Sequence, residues 1–139
     1  REWDEKREQD WELLEYPAHR EFHCFMKALN RFYLEHPAFW ENDYDEDGFQ
    51  WLECGTPDQC IYAFERRAHK ERIAAVFNFS GISQTGLCLK IPGGKKLEEI
   101  FSSGASISGE TKRKESLSSA AGAFELEMAP FSADYYLIR

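Results

Sequence analysis

Residues 49–79 read FQWLECGTPDQCIYAFERRAHKERIAAVFNF. Three short runs rich in aromatic and β-branched residues are separated by Gly55-Thr56-Pro57-Asp58 and by the polar stretch 68–71. That punctuation, and a periodicity near two, predicts strands over 49–54, 59–66 and 72–79. The pattern continues downstream over 86–91, 96–102, 122–128 and 133–138, with breaks at 80–84, at Pro92-Gly93-Gly94 and at Ala129-Pro130. Seven strands at this spacing predict a mainly β fold, a small antiparallel β-sandwich. Pro92-Gly93-Gly94-Lys95-Lys96 reads as a hairpin turn with basic flanks. The Ser- and Gly-rich stretch 102–121 reads as a long loop. Alternation places Tyr62, Phe64, Ala74 and Val76 inward, with Leu87, Leu89, Ile91, Leu97, Ile100, Phe124, Leu126, Tyr136 and Ile138 completing the core.

Upstream the period changes. Phe22, Phe25, Met26, Leu29, Phe32 and Tyr33 recur at steps of three and four, which predicts a helix over 18–36 with one apolar stripe. Pro17 suits the first turn and Pro37 stops the helix near His36. A lone helix with such a stripe must bury it. It has three choices: one face of the sandwich, a second copy through Phe22, Phe25, Leu29 and Phe32, or a domain outside this sequence.

The chain of 139 residues fits one domain, with 42% hydrophobic and 15% aromatic residues, too apolar for a disordered tail. The net charge of −8 is uneven: residues 1–58 carry six basic and sixteen acidic residues, and the remainder is slightly basic. An acidic surface of this kind argues against nucleic acid, whose phosphates need Lys and Arg. The basic cluster Lys112-Arg113-Lys114 reads as a solvated loop. No apolar run approaches the length of a membrane span. The chain begins at Arg1, and residues 1–10 are no signal peptide, so it is expected either to start inside a longer product or to follow a removed segment.

Four cysteines lack a CxxC pair and are too sparse for a disulfide scaffold. Cys24 and Cys88 read as small core residues. Cys54 and Cys60 flank a turn and would pair only if their Cα atoms came within about 7 Å. Four thiols and a reducing, cytoplasmic compartment are the expectation.

Local motifs for chemistry are thin. Asp43-Tyr44-Asp45-Glu46-Asp47-Gly48 begins like a calcium loop, but Cys54 stands where the bidentate Glu belongs, so it reads as an acidic turn entering a strand. His19 and His23 share a helix face without the Glu that a zinc-protease motif requires. No nucleophile elbow or catalytic carboxylate pair is marked locally. No catalytic residue, metal or cofactor is therefore assigned. Trp3, Trp11, Trp40 and Trp51 all lie in the acidic part, where flat rings beside carboxylates are compatible with sugar contact, although ordinary core and interface roles are the commoner use of such residues.

Several segments, taken in order, resemble the C-terminal part of bacterial 1,4-α-glucan branching enzymes of the α-amylase superfamily. Arg1-Glu2-Trp3-Asp4 resembles that family's R-E-W-[ND], Gln9-Asp10-Trp11-Glu12-Leu13-Leu14 its L-D-W-x-L-L, and Leu29-Asn30-Arg31-Phe32-Tyr33 its L-N-R-L-Y. The run from Asp43 to Trp51 resembles D-F-D-P-x-G-F-E-W. Phe64-Glu65-Arg66-Arg67, Val76-Phe77-Asn78-Phe79-Ser80 and Ala129-Pro130-Phe131-Ser132-Ala133 resemble three segments of the terminal sandwich. Gln9 and Glu46 depart from the pattern, as does 102–121.

The resemblance implies that residues 1–42 end a catalytic (β/α)₈ barrel and that 43–139 form a C-terminal all-β sandwich. It implies a parent that cuts α-1,4-glucan and forms α-1,6 branches in glycogen biosynthesis, with the catalytic carboxylates upstream of Arg1. Its partners are then an α-glucan and the barrel domain. It also implies that Asp10 and Trp11 lie near the active-site groove and that Trp51 belongs to a glucan-binding surface. The alternative is a stand-alone carbohydrate-binding or purely structural β-sandwich module of another α-amylase superfamily enzyme.

Overall fold

The computed structural model describes residues 4–106 and 116–139. Helix α1 (Pro17–Glu35) precedes strands β1 (Phe49–Cys54), β2 (Ile61–Ala68), β3 (Glu71–Asn78), β4 (Gln84–Lys90) and β5 (Lys96–Ser102). A single turn, α2 (Ser103–Ser106), and strands β6 (Leu117–Ser118), β7 (Ala123–Met128) and β8 (Ser132–Ile138) follow. Pro17 occupies the first helical turn, and His36 is extended ahead of Pro37, as the sequence predicts.

The strands are hydrogen-bonded in the order β6-β5-β8-β3-β2-β1-β4-β7, all antiparallel. β1 is the hinge of the arrangement. Phe49 to Leu52 pair with β2, whereas Glu53 and Cys54 pair with β4. The sheet folds over at that point, and β4 and β7 close on the inner face of β2, β3, β8 and β5. The core between the layers holds Ala63, Ala74, Val76, Leu87, Leu89, Ile91, Leu97, Phe124, Leu126, Met128, Tyr136 and Ile138. Among the described residues, no helix is long and apolar enough to cross a membrane.

Several expectations need correction. Tyr62 and Phe64 point away from the core: β2 pairs Ala63 with Val76 and Tyr62 with Phe77, so Ala63 and Glu65 are the inward residues. Ile100 leaves the core because β5 slips register between Glu99 and Phe101. That bulge turns Phe101 onto the outer face. β2 starts at Ile61 because Cys60 closes the turn Pro57–Gln59 with a left-handed φ of 53°. Residues 92–96 do not close a hairpin: β4 and β5 are not neighbours, and the segment crosses from one layer to the other. Within 102–121, Leu117–Ser118 form the edge strand β6, while 107–115, including Lys112-Arg113-Lys114, lie outside the described residues. Cys24 and Cys88 are exposed; Cys54, half-buried, is the cysteine that packs on the core. All four cysteines are free thiols, so Cys54 and Cys60 are not paired.

The helix stripe takes the first of its three choices. Phe32 is buried against Phe101, Tyr135 and Phe39, at ring-centroid distances of 4.7, 5.2 and 5.3 Å. Phe25 sits 6.3 Å from Phe101 and Leu29 is half-buried. Of the four residues that self-association would use, Phe22 alone is exposed.

Candidate functional site: an aromatic sheet face

Side chains alternate across a strand, so residues opposite one another in register share a face. The register joins Trp51, Phe64, Ala75, Tyr135 and Phe101 in one row on the outer face of the larger layer. Phe49, Arg66 and Ile73 form the row on one side, and Tyr62 and Phe77 the row on the other. Half of this face is covered by the chain's own N-terminal part. Phe32 and Phe39 pack on Tyr135. Arg66 donates to the carbonyls of Ala38 and Phe39 and pairs with Asp43 at 2.7 Å. The Glu71 carboxylate accepts from the Ala38 amide and meets the His36 ring at 2.7 Å. Asp43 therefore serves as a strut, and the acidic turn Glu46–Gly48 runs straight into β1. Gly48 is required here: a Cβ on it would lie 1.9 Å from the Asn42 carbonyl.

The other half of the face is bare and aromatic. Trp51 is 64% exposed, Tyr62 52% and Phe79 61%, with Phe49 at the margin of exposure. The rings form a continuous array. Phe64 and Phe77 stack at 5.6 Å, Phe77 and Phe79 at 5.7 Å with only 6° between their planes, and Tyr62 meets Phe79 edge-on. Trp51 ends the array differently, standing perpendicular to both Phe49 and Phe64. The sequence reading singled out Trp51 but not the other exposed rings of this face, Phe49, Tyr62 and Phe79. The available signal was the small Ala63 and the doubly apolar run of β3: when both parities of a strand are apolar, one can fill the core while the other lines a second interface.

Asp10 and Trp11 lie elsewhere. Asp10 precedes the 3₁₀ turn Trp11–Glu15, which leads into α1, and both residues are exposed, Trp11 at 67%. None of the ring contacts among the described residues joins Trp11 to the Trp51 array. A shallow apolar groove of about 470 Å³ lies between the first half of α1 and the β7–β8 turn, with Phe22, Phe25, Pro130 and Phe131 in its walls.

Glu65, Glu99 and Asp134 are buried carboxylates of the described residues. Glu99 and Asp134 flank Tyr136 inside the core, where burial and their charges raise the phenol far above its ordinary range. Burial and the nearby Cys88 push the Cys54 thiol up to about 11, so it is not a thiolate at neutral pH. Among the described residues, no group of three His, Cys, Asp or Glu side chains is placed to hold a metal.

The sequence matches the alpha amylase C-terminal all-beta domain family over residues 51–138. It is 32% identical over 104 residues to the 1,4-alpha-glucan branching enzyme GlgB of Protochlamydia amoebophila, covering 75% of this chain and 14% of that enzyme. It is 35% identical over 104 residues to the same-named enzyme of Oceanobacillus iheyensis, covering 73% of this chain and 16% of the relative. The chain thus spans about one-sixth or less of these relatives' length. Among solved structures, AmyP in complex with maltotriose superposes with a TM-score of 0.51 at 17% identity, over 75% of this chain and 18% of that one. That last likeness concerns the fold.

Proposed function

This chain belongs to the alpha amylase C-terminal all-beta domain family, and from that premise we propose that it is the C-terminal part of a cytoplasmic 1,4-α-glucan branching enzyme of glycogen biosynthesis. Residues 1–42 are then the end of the catalytic barrel, and 43–139 the terminal all-β domain. The observation that carries this reading is the similarity, across about three-quarters of the chain, to enzymes named for that activity. The parent reaction is a retaining glycosyl transfer, in which one carboxylate attacks the sugar and a second carboxyl group protonates the leaving oxygen. In (β/α)₈ enzymes such groups sit at the C-terminal ends of the barrel strands, which places them upstream of this sequence.

The chain's own part in this scheme is structural support and glucan contact. Trp51 offers an exposed indole at the end of the aromatic array, where a pyranose ring can stack. Asp10 can accept sugar hydroxyls beside Trp11, at a site separate from Trp51. The purified 139-residue chain is expected to leave amylose unbranched, read as an unchanged iodine-stain spectrum after incubation. Conversion by this chain alone would overturn the assignment of the chemistry to upstream residues.

Glucan contact is tested by titrating maltoheptaose against the chain and following tryptophan fluorescence. Trp51→Ala is expected to weaken binding by about fivefold or more, the order of a 1 kcal/mol contact. Equal affinity in Trp51→Ala removes Trp51 from the site. Absence of any binding favours the purely structural role.

A further inference from the structure

We propose that the outer edge of β7 is a docking site for an extended segment of another protein with Lys or Arg at alternate positions, which joins the sheet as a further strand.

The two ends of the sheet are finished differently. β6, at one end of the strand order, is only two residues long, and a very short terminal strand is one of the ways an edge is blunted. β7, at the other end, runs for six residues in strict alternation. Phe124, Leu126 and Met128 are buried, and Ala123, Glu125 and Glu127 are exposed. One edge of β7 is taken by β4, and among the described residues no strand pairs with the other. The usual devices that spoil a template are missing from β7 itself: it has no Pro, no Lys and no inward-facing charge. The bulge in its ladder lies on the partner, since β4 advances from Gln84 to Leu87 while β7 advances only from Met128 to Leu126. β7 therefore offers a regular row of backbone donors and acceptors, the surface that strand addition uses.

Charge selects the occupant. Glu125 and Glu127 stand on the same outer face, and neither has an ion-pair partner among the described residues. Lys90 on the neighbouring strand lies opposite Ala123 and is held by Glu53 at 2.7 Å. A second copy is a poor partner. Two β7 strands paired over most of their length with apolar faces aligned set Glu125 against Glu125 or Glu127, and like charges facing across a ladder repel. A strand with Lys or Arg at its outward positions places opposite charges there instead. Apolar residues at its alternate positions continue the buried row of Phe124, Leu126 and Met128.

The probe is a fluorescently labelled, capped peptide alternating Lys and Val and long enough to span β7, titrated against the 139-residue chain by anisotropy. Saturable binding is expected, and hydrogen exchange read by mass spectrometry should slow over 123–128 when the peptide is added. The double variant Glu125→Lys, Glu127→Lys is expected to bind this peptide about tenfold more weakly or worse, the loss of two cross-strand charge pairs. It should gain binding to a peptide alternating Glu and Val, which also shows that the variant is folded. Absence of binding, or unchanged affinity in the double variant, overturns the proposal. Equal affinity for a peptide of the same composition with its lysines contiguous overturns it too, because attraction to an acidic chain then needs no strand. Protection confined to residues outside 123–128 places the peptide elsewhere and has the same consequence. Slowing of exchange over 123–128 without peptide, on raising the chain's own concentration, overturns it in favour of a second copy.

Discussion

Glu65→Ala is expected to destabilise the sheet by about 3–5 kcal/mol, the range for breaking a buried ion pair by removing one partner. Glu65 has no exposed surface, and both its oxygens are used. Arg67 donates to them at 2.6 and 3.1 Å, and Arg72 does the same. Register explains why the carboxylate is needed. Arg67 and Arg72 are directly opposite in the β2–β3 ladder, and like charges facing across a ladder repel. Glu65 bridges that pair and offsets one of its two charges, and Arg72 also ties the sheet to the Pro92 carbonyl on the crossing segment. Alanine would leave a cavity and two guanidinium groups facing each other.

The same triad sets an acid limit. Burial pushes the Glu65 carboxyl up, but hydrogen bonds and charge from Arg67 and Arg72 more than reverse this and hold it below its ordinary value. A depressed carboxyl contributes stability that is fully present above the unfolded value, about 4.3, and that is lost as pH falls through the folded one. Urea melts of the wild type should therefore lose stability as pH drops below about 4.3. In Glu65→Gln that acid limb should be shallower, on a lower plateau. A limb of the same depth in both proteins would assign it to other carboxylates.

What could be read from the sequence follows from where the information lies. Seven strand positions were legible because they are bounded by Gly, Pro or polar turns, and β1 and β5 fall at the predicted residues, whereas the two-residue β6 was not. Parity in β2 was not legible. Tyr62 and Phe64 outweigh Ala63 and Glu65 in hydrophobicity, yet the interior takes the latter pair, because Ala63 fits between packed layers and Glu65 brings its own counter-charges. The large rings lie on the outer face of the same layer, where Tyr62 stays exposed. Residue 100 was misplaced because a bulge is a property of two strands together. Asn78 was visible only as part of a family-like motif. Its amide donates to the carbonyls of Ile82 and Ala129, and its oxygen accepts from Ser80, so it pins the β3–β4 loop to the β7–β8 turn. Of the candidate contact residues, Trp51 was legible as an exposed ring position. The separation of Trp11 from it depends on how α1 folds back, which the helical period does not specify.

Phe32→Ala is expected to release α1 from the sheet while leaving the β core folded. Phe32 is the one buried residue of the helix, and its ring meets those of His36, Phe39, Phe101 and Tyr135. Truncating a buried Phe costs about 3–5 kcal/mol. Here the loss falls on one docked element, because the principal core lies on the opposite face of the sheet. The helix has little to sustain it once released. It spans 19 residues, carries no side-chain N-cap hydrogen bond, and leaves Phe22, Tyr33 and Leu34 exposed. Isolated helices only slightly shorter are marginal in water even with favourable composition. The pair His36–Glu71 and the grip of Arg66 on the carbonyls of Ala38 and Phe39 hold the segment just after the helix, so detachment should stop there. Limited trypsinolysis reads this directly, since Arg20, Lys27 and Arg31 lie exposed along α1. Cleavage at these sites should accelerate at least about tenfold in Phe32→Ala, the effect of losing little more than 1 kcal/mol of local closure. The urea midpoint of the β core should shift far less. Phe22→Ala, at an exposed position of the same helix, should change neither. Unchanged cleavage of α1 in Phe32→Ala would mean that the Phe32 cluster is not what holds the helix to the sheet.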